Sequence, residues 1–94
     1  MFSGGNYDEV ARWLRNFLTS HAKREDVHAE VELEEGDERA GKAYGARLRL
    51  GARVTPLGEF DFAEVAQNRG SLAWCAALAE RTRAAVRELA ATAA

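Results

Sequence analysis

Three groups of side chains in this sequence could do chemistry. The first is a row of carboxylates: in "VHAEVELEE", Glu30, Glu32 and Glu34 recur at every second position. Carboxylates are hard oxygen ligands, so such a row could hold a divalent cation. At strand spacing, however, alternate carboxylates stand about 7 Å apart, and no carbonyl-rich loop accompanies them. The segment Glu35-Gly36-Asp37-Glu38 does not follow a calcium-loop pattern either. The second group is His21, His28 and Cys75, which lack the paired spacing of zinc ligands. The third is basic. Arg12, Arg15 and Lys23, with Arg24 nearby, could meet phosphates of RNA, which needs Lys or Arg on one face. Asp8 shares that face, and no aromatic is interleaved for base stacking. There is no phosphate-cradling loop and no nucleophile motif. No titratable set converges, so the expectation is a non-enzyme with no catalytic residue, metal ligand or cofactor.

The elements that would carry these residues follow from periodicity. "NYDEVARWLRNFLTSHAKR" reads as an amphipathic helix with Val10, Trp13, Leu14, Phe17, Leu18 and His21 on one face. Asn6 is its cap, with Glu9 three residues on as a capping box wants. Arg12, Arg15, Thr19 and Lys23 take the opposite face, and His21 becomes a core-edge histidine. From Ser71, a ready N-cap, to about Ala91 the chain is Ala-rich and free of Gly and Pro, a second long helix. Leu72, Cys75, Ala79, Thr82, Val86 and Leu89 form its stripe, widened by Trp74, Leu78 and Ala85. Cys75 then reads as a small buried residue rather than a nucleophile.

Between the helices two segments alternate with the period of a strand. In the first, Ala29, Val31 and Leu33 point one way and His28, Glu30, Glu32 and Glu34 the other. In "YGARLRLG", Ala46, Leu48 and Leu50 oppose Arg47 and Arg49. The polar, Gly-bounded "GDERAGK" joins them as a hairpin. One register satisfies both faces: Val31 meets Leu48, Leu33 meets Ala46, Ala29 meets Leu50, Glu32 meets Arg47 and Glu30 meets Arg49. A slip by one residue would put charge opposite the core. The glutamates are therefore expected to specify pairing and keep the outer sheet face soluble, rather than to bind. From Glu25 to Glu38 there are eight acids and no Lys or Arg, and from Arg39 to Arg53 five bases and no acid, which suits self-neutralisation.

"GARVTPLG" reads as a connector holding the single proline, Pro56. Residues 59–67, "EFDFAEVAQ", allow two readings. They make a short helix capped by Asp61, with Glu64 at N3 and a Phe60–Val65 staple, or a third strand with Phe60 and Phe62 on one side. The strand is preferred, because two lone strands make a marginal sheet.

With 94 residues, 47% hydrophobic and 30% charged, the chain has a globular composition and the length of one domain, 1–94. Residues 1–5 read as a flexible lead-in and 92–94 as a frayed tail. A chain this short buries only about 60–65% of its unfolded surface, which favours partners, including a second copy of itself. The formal charge of −2 implies no particular ligand. One cysteine allows no internal disulfide and fits a reducing compartment. "MFSGGNYDEV" has neither a basic n-region nor an apolar run, so no signal peptide is expected, and no stretch is apolar enough to span a membrane.

The order helix, strand, strand, strand, helix is the layout of the double-stranded-RNA-binding domain, although that family's Lys-rich last helix is here "GSLAWCAALAE". "VARWLRNFLTSHAKREDVHAEVELEE", "YGARLRLG" and "SLAWCAALAERTRAAVREL" are similar to the ribosome hibernation-promoting (ribosome-associated inhibitor) factors. That resemblance implies a helix–β–β–β–helix core and contact with ribosomal RNA. The family's extra first strand has no counterpart in "MFSGG", its positive field is absent, and no functional residue transfers individually.

The expectation is an α+β domain, α-β-β-β-α, with two helices on one face of a small antiparallel sheet. Its expected role is a small non-catalytic cytoplasmic protein that binds other protein, including as a homodimer. The alternatives are a ribosome- or RNA-associated accessory acting through Arg12, Arg15, Lys23 and Arg24, and a binder of a divalent metal or small molecule.

Overall fold

The computed structural model describes residues 6–92, and the expected lead-in at 1–5 lies outside them. Helix α1 spans Tyr7–Glu25. Asn6 Oδ1 accepts from the Glu9 N–H at 2.8 Å, satisfying one of the free donors at the helix start. Acids in the first turn and Lys23 and Arg24 in the last suit the helix dipole. The buried stripe is Val10, Ala11, Leu14, Leu18 and Ala22. Trp13 and Phe17, expected among the core residues, are only half-buried on its flank, as is His21, expected at the core edge. Asp26 ends the helix in an extended conformation. Its carboxylate accepts from the His28 N–H at 2.9 Å and its carbonyl from the Ala29 N–H at 2.9 Å, a turn that feeds the first strand.

Strand β1 spans Glu30–Glu34 and β2 spans Ala43–Leu50, paired antiparallel. The register is the expected one: Glu30 faces Arg49, Val31 Leu48, Glu32 Arg47 and Leu33 Ala46. The strand starts at Glu30, so the expected Ala29–Leu50 partnership falls just outside the ladder. The joining loop contains a one-turn helix, α2, at Gly36–Arg39.

The third strand corrects the reading of Gly51–Gly58 as a connector. Strand β3 spans Arg53–Asp61, antiparallel to β2 in the order β1-β2-β3, after a two-residue turn with Gly51 at φ 66°. Residues 59–67 are divided: β3 ends at Asp61, and helix α3 spans Phe62–Asn68. Asp61 Oδ2 caps it by accepting from the Glu64 N–H at 3.2 Å. Both readings of this stretch thus hold in part. The break at Asp61 also removes the conflict that a longer strand would have had with an inward Glu64.

Helix α4 spans Leu72–Ala91, with Ser71 Oγ accepting from the Trp74 N–H at 3.2 Å. Leu78, Thr82, Val86 and Leu89 are buried, while Leu72, placed in the stripe by its spacing, is 89% exposed. Thr82 is the buried polar side chain here, and its hydroxyl donates to Leu78 O at 2.8 Å. Thr92 is the C-cap, its N–H donating to Glu88 O at 3.1 Å. Residues 93–94 lie outside the described residues.

One core joins these elements. Val31, Tyr44, Ala46, Leu48, Leu57 and Phe60 of the sheet pack with buried residues of α1, α3 and α4. Helix α1 packs on β1, and α4 on β2 and β3. Near their starts Trp13 and Trp74 stack with centroids 6.5 Å apart, and near their ends Arg87 pairs with Glu25 at 2.8 Å. The two long helices therefore run parallel, both on the inner face of the sheet. The architecture is α+β, with two short helices added to the expected order.

Candidate functional site

The outer sheet face carries the carboxylate row, and the row is met by arginines. Arg49 pairs with Glu30 at 3.3 Å and Glu32 at 3.0 Å. Arg47 pairs with Glu32 at 3.2 Å and Glu34 at 2.9 Å. Arg39, from α2, extends the chain to Glu34 at 3.7 Å and Glu59 of β3 at 3.0 Å. The result is one zigzag in which acids and bases alternate from Glu30 to Glu59. Each exposed pair contributes about 0.2–1 kcal/mol. Periodicity located the Glu30–Arg49 and Glu32–Arg47 pairs. It missed the diagonal bonds, Arg39 and Glu59, which depend on where α2 and β3 fall. Gly45 makes room for the guanidinium: a Cβ there would stand 3.0 Å from Arg39 Cζ and 3.1 Å from Glu59 Oε2.

The two edges of the sheet differ. On β3, Pro56 offers no N–H, and the register shifts between Ala46 and Arg47, so that Leu57 is an extra residue in the ladder. Arg81 of α4 donates to Leu57 O at 2.6 Å and lies 5.3 Å from the Phe60 ring centre. Gly58, at φ 140°, leaves the space that the Arg81 guanidinium fills. This edge is blunted. On β1, Glu30–Glu34 has β2 on one side, and among the described residues no backbone pairs with the other.

Beside the open edge runs the basic flank of α1. Asp8, Ala11, Arg12, Arg15, Leu33 and Glu35 line a cleft of about 240 Å³ between the helix and the end of β1. Arg12 and Arg15 are exposed and, among the described residues, enter no ion pair. Lys23, on the same flank, donates from Nζ to Val27 O at 3.1 Å. Arg24 is turned away by helix geometry and lies near His21, so the four basic residues do not form one ridge.

The remaining candidates sit on the other side of α1. Trp13 stacks on Phe17 at 5.0 Å, and Phe17 meets His21 at 4.5 Å. Burial, then Arg24 and Arg83, holds the His21 imidazole below its ordinary pKa. Burial pushes the Cys75 thiol up, away from the reactive thiolate, and its Sγ lies 3.5 Å from Arg69 O. His28 is exposed, with Nδ1 3.3 Å from Asp26 Oδ1. Among the described residues no three His, Cys, Asp or Glu side chains are grouped to hold a metal ion, and no helix is long and apolar enough to cross a membrane. No protein-family profile matches the chain, and neither a curated protein nor a solved structure matches it.

Proposed function

We propose that the chain is a small non-catalytic binding protein that acts through contact with other protein, in the cytoplasm. The open β1 edge carries this reading: the opposite edge is blunted by Pro56, the Leu57 bulge and Arg81, while Glu30–Glu34 can accept a further strand. The ionisable groups of the outer face are engaged with one another in structural pairs, which supports a role without chemistry. A lone cysteine supports a reducing compartment. The homodimer is the weaker form of the reading, because two β1 strands side by side would oppose their glutamate rows. Selection of a displayed peptide library on the immobilised chain tests the proposal. Enrichment of a consensus that the free chain binds in solution is the expected result. A chain that selects no peptide is not acting through such contacts.

A second reading, an RNA- or ribosome-associated accessory, is favoured by Arg12 and Arg15, without an ion pair among the described residues, beside Lys23 and by the resemblance to hibernation-promoting factors. Asp8 and Glu35 share the Arg12–Arg15 cleft and dilute its field. This reading expects RNA binding that falls steeply with salt and is lost in Arg12→Glu plus Arg15→Glu. Binding indifferent to both would rule it out.

A further inference from the structure

We propose that the β1 edge accepts an extended segment of a different protein as a fourth strand, and that this segment carries Lys or Arg at every second position on the outer sheet face. The inference rests on the protein-binding reading above and names the partner's chemistry. Two observations lead to it. Among the described residues the edge is free along all five residues of β1, whereas β3 is interrupted. The side chains that an added strand would meet on the outer face are Glu30, Glu32 and Glu34, all acidic.

Charge then selects the occupant. Among the described residues the outer-face ion pairs join four glutamates, Glu30, Glu32, Glu34 and Glu59, to three arginines, Arg39, Arg47 and Arg49, one acid in excess. The arginines that neutralise the row lie on the β2 side, leaving the β1 margin as its acidic border. Directly opposed cross-strand side chains stand about 5 Å apart, where opposite charges attract and like charges repel. A basic residue at every second position would extend the alternation by one strand. A second copy of the chain would instead bring three glutamates against three glutamates, and the Arg12–Arg15 flank of one α1 toward that of the other. On the helix side the incoming strand would pass Leu33 and the cleft lined by Asp8, Ala11, Arg12, Arg15 and Glu35. That mixed lining suits small or short polar side chains and does not set the charge of the partner.

The test compares three peptides of one length by calorimetry on the full chain. The first alternates Lys with Thr or Val, the second has Glu in place of Lys, and the third has the first one's composition with the lysines in a block. The alternating basic peptide should bind roughly tenfold more tightly than either other peptide and weaken with added salt. A fourfold variant, Glu30→Lys, Glu32→Lys, Arg47→Glu and Arg49→Glu, keeps both cross-strand pairs while inverting the row at two of its three positions, and should prefer the acidic peptide. Equal binding of all three peptides by the wild-type chain overturns the proposal, whatever the variant does. So does a folded fourfold variant, checked by circular dichroism, that keeps the wild-type preference. In either case a consensus selected from the library still stands, and with it the protein-binding reading; a chain that binds no peptide removes both.

Discussion

The most constrained polar residue is a tyrosine that takes no part in the candidate surface. Tyr44 is fully buried, donates to Tyr7 O at 2.7 Å and stacks on the Tyr7 ring at 4.6 Å. Tyr7 in turn donates to Ala43 O at 2.5 Å, tying the start of α1 to β2. Burial first, then the neighbouring Tyr7 phenol and the charges of Glu35 and Asp8, pushes the Tyr44 phenol well above its ordinary pKa. Folding therefore keeps the proton that the unfolded chain releases near pH 10. The resulting stability is complete below that pH and is lost as pH rises further. Urea titrations should show a decline beginning near pH 10, and Tyr44→Phe should flatten it while costing about 1 kcal/mol at neutral pH. An unchanged alkaline slope in the variant would refute the assignment. Much at this scale was readable from sequence. Asn6, Asp61 and Ser71 cap helices because a short polar side chain before an apolar run has one local use. The Tyr7–Tyr44 lock was not readable, because its partners are 37 residues apart.

Elements were readable where their period was unbroken. The β1–β2 register followed from two alternating faces that a single alignment satisfies. A double-mutant cycle on Glu32 and Arg47, including the exchanged pair Glu32→Arg with Arg47→Glu, should give a coupling of about 0.2–1 kcal/mol, reduced by salt. Zero coupling would mean that the apolar face alone sets the register. A third strand was expected, but the start of β3 at Arg53 was hidden by the strand's own irregularity. Thr55 pairs with inward Leu48 and Gly58 with inward Ala46, so the alternation changes phase at Leu57, and Pro56 adds a second interruption. The candidate edge could be recognised only once β3 was placed, since the contrast between the two edges identifies it. Gly58→Ala should destabilise by about 2 kcal/mol in denaturant titration, through its positive φ and the displacement of Arg81. A loss below a few tenths would show that the bulge is not pinned there.

At the scale of the whole molecule, the parallel helices divide the surface. Helix α4 and Arg81 guard the β3 side, the half-buried Trp13–Phe17–Trp74 strip fills the seam between the helices, and the basic flank of α1 borders β1. The helix layer was predictable because both long helices announce one apolar face. How those helices leave one sheet edge open was not, because it depends on their packing. Amide hydrogen exchange, measured residue by residue with and without the alternating basic peptide, tests this division most directly. Slowing concentrated in Glu30–Glu34, with β3 amides unchanged, is the expected result. Protection of Arg53–Asp61 or of the Trp13–Trp74 seam, with β1 unaffected, would contradict the account.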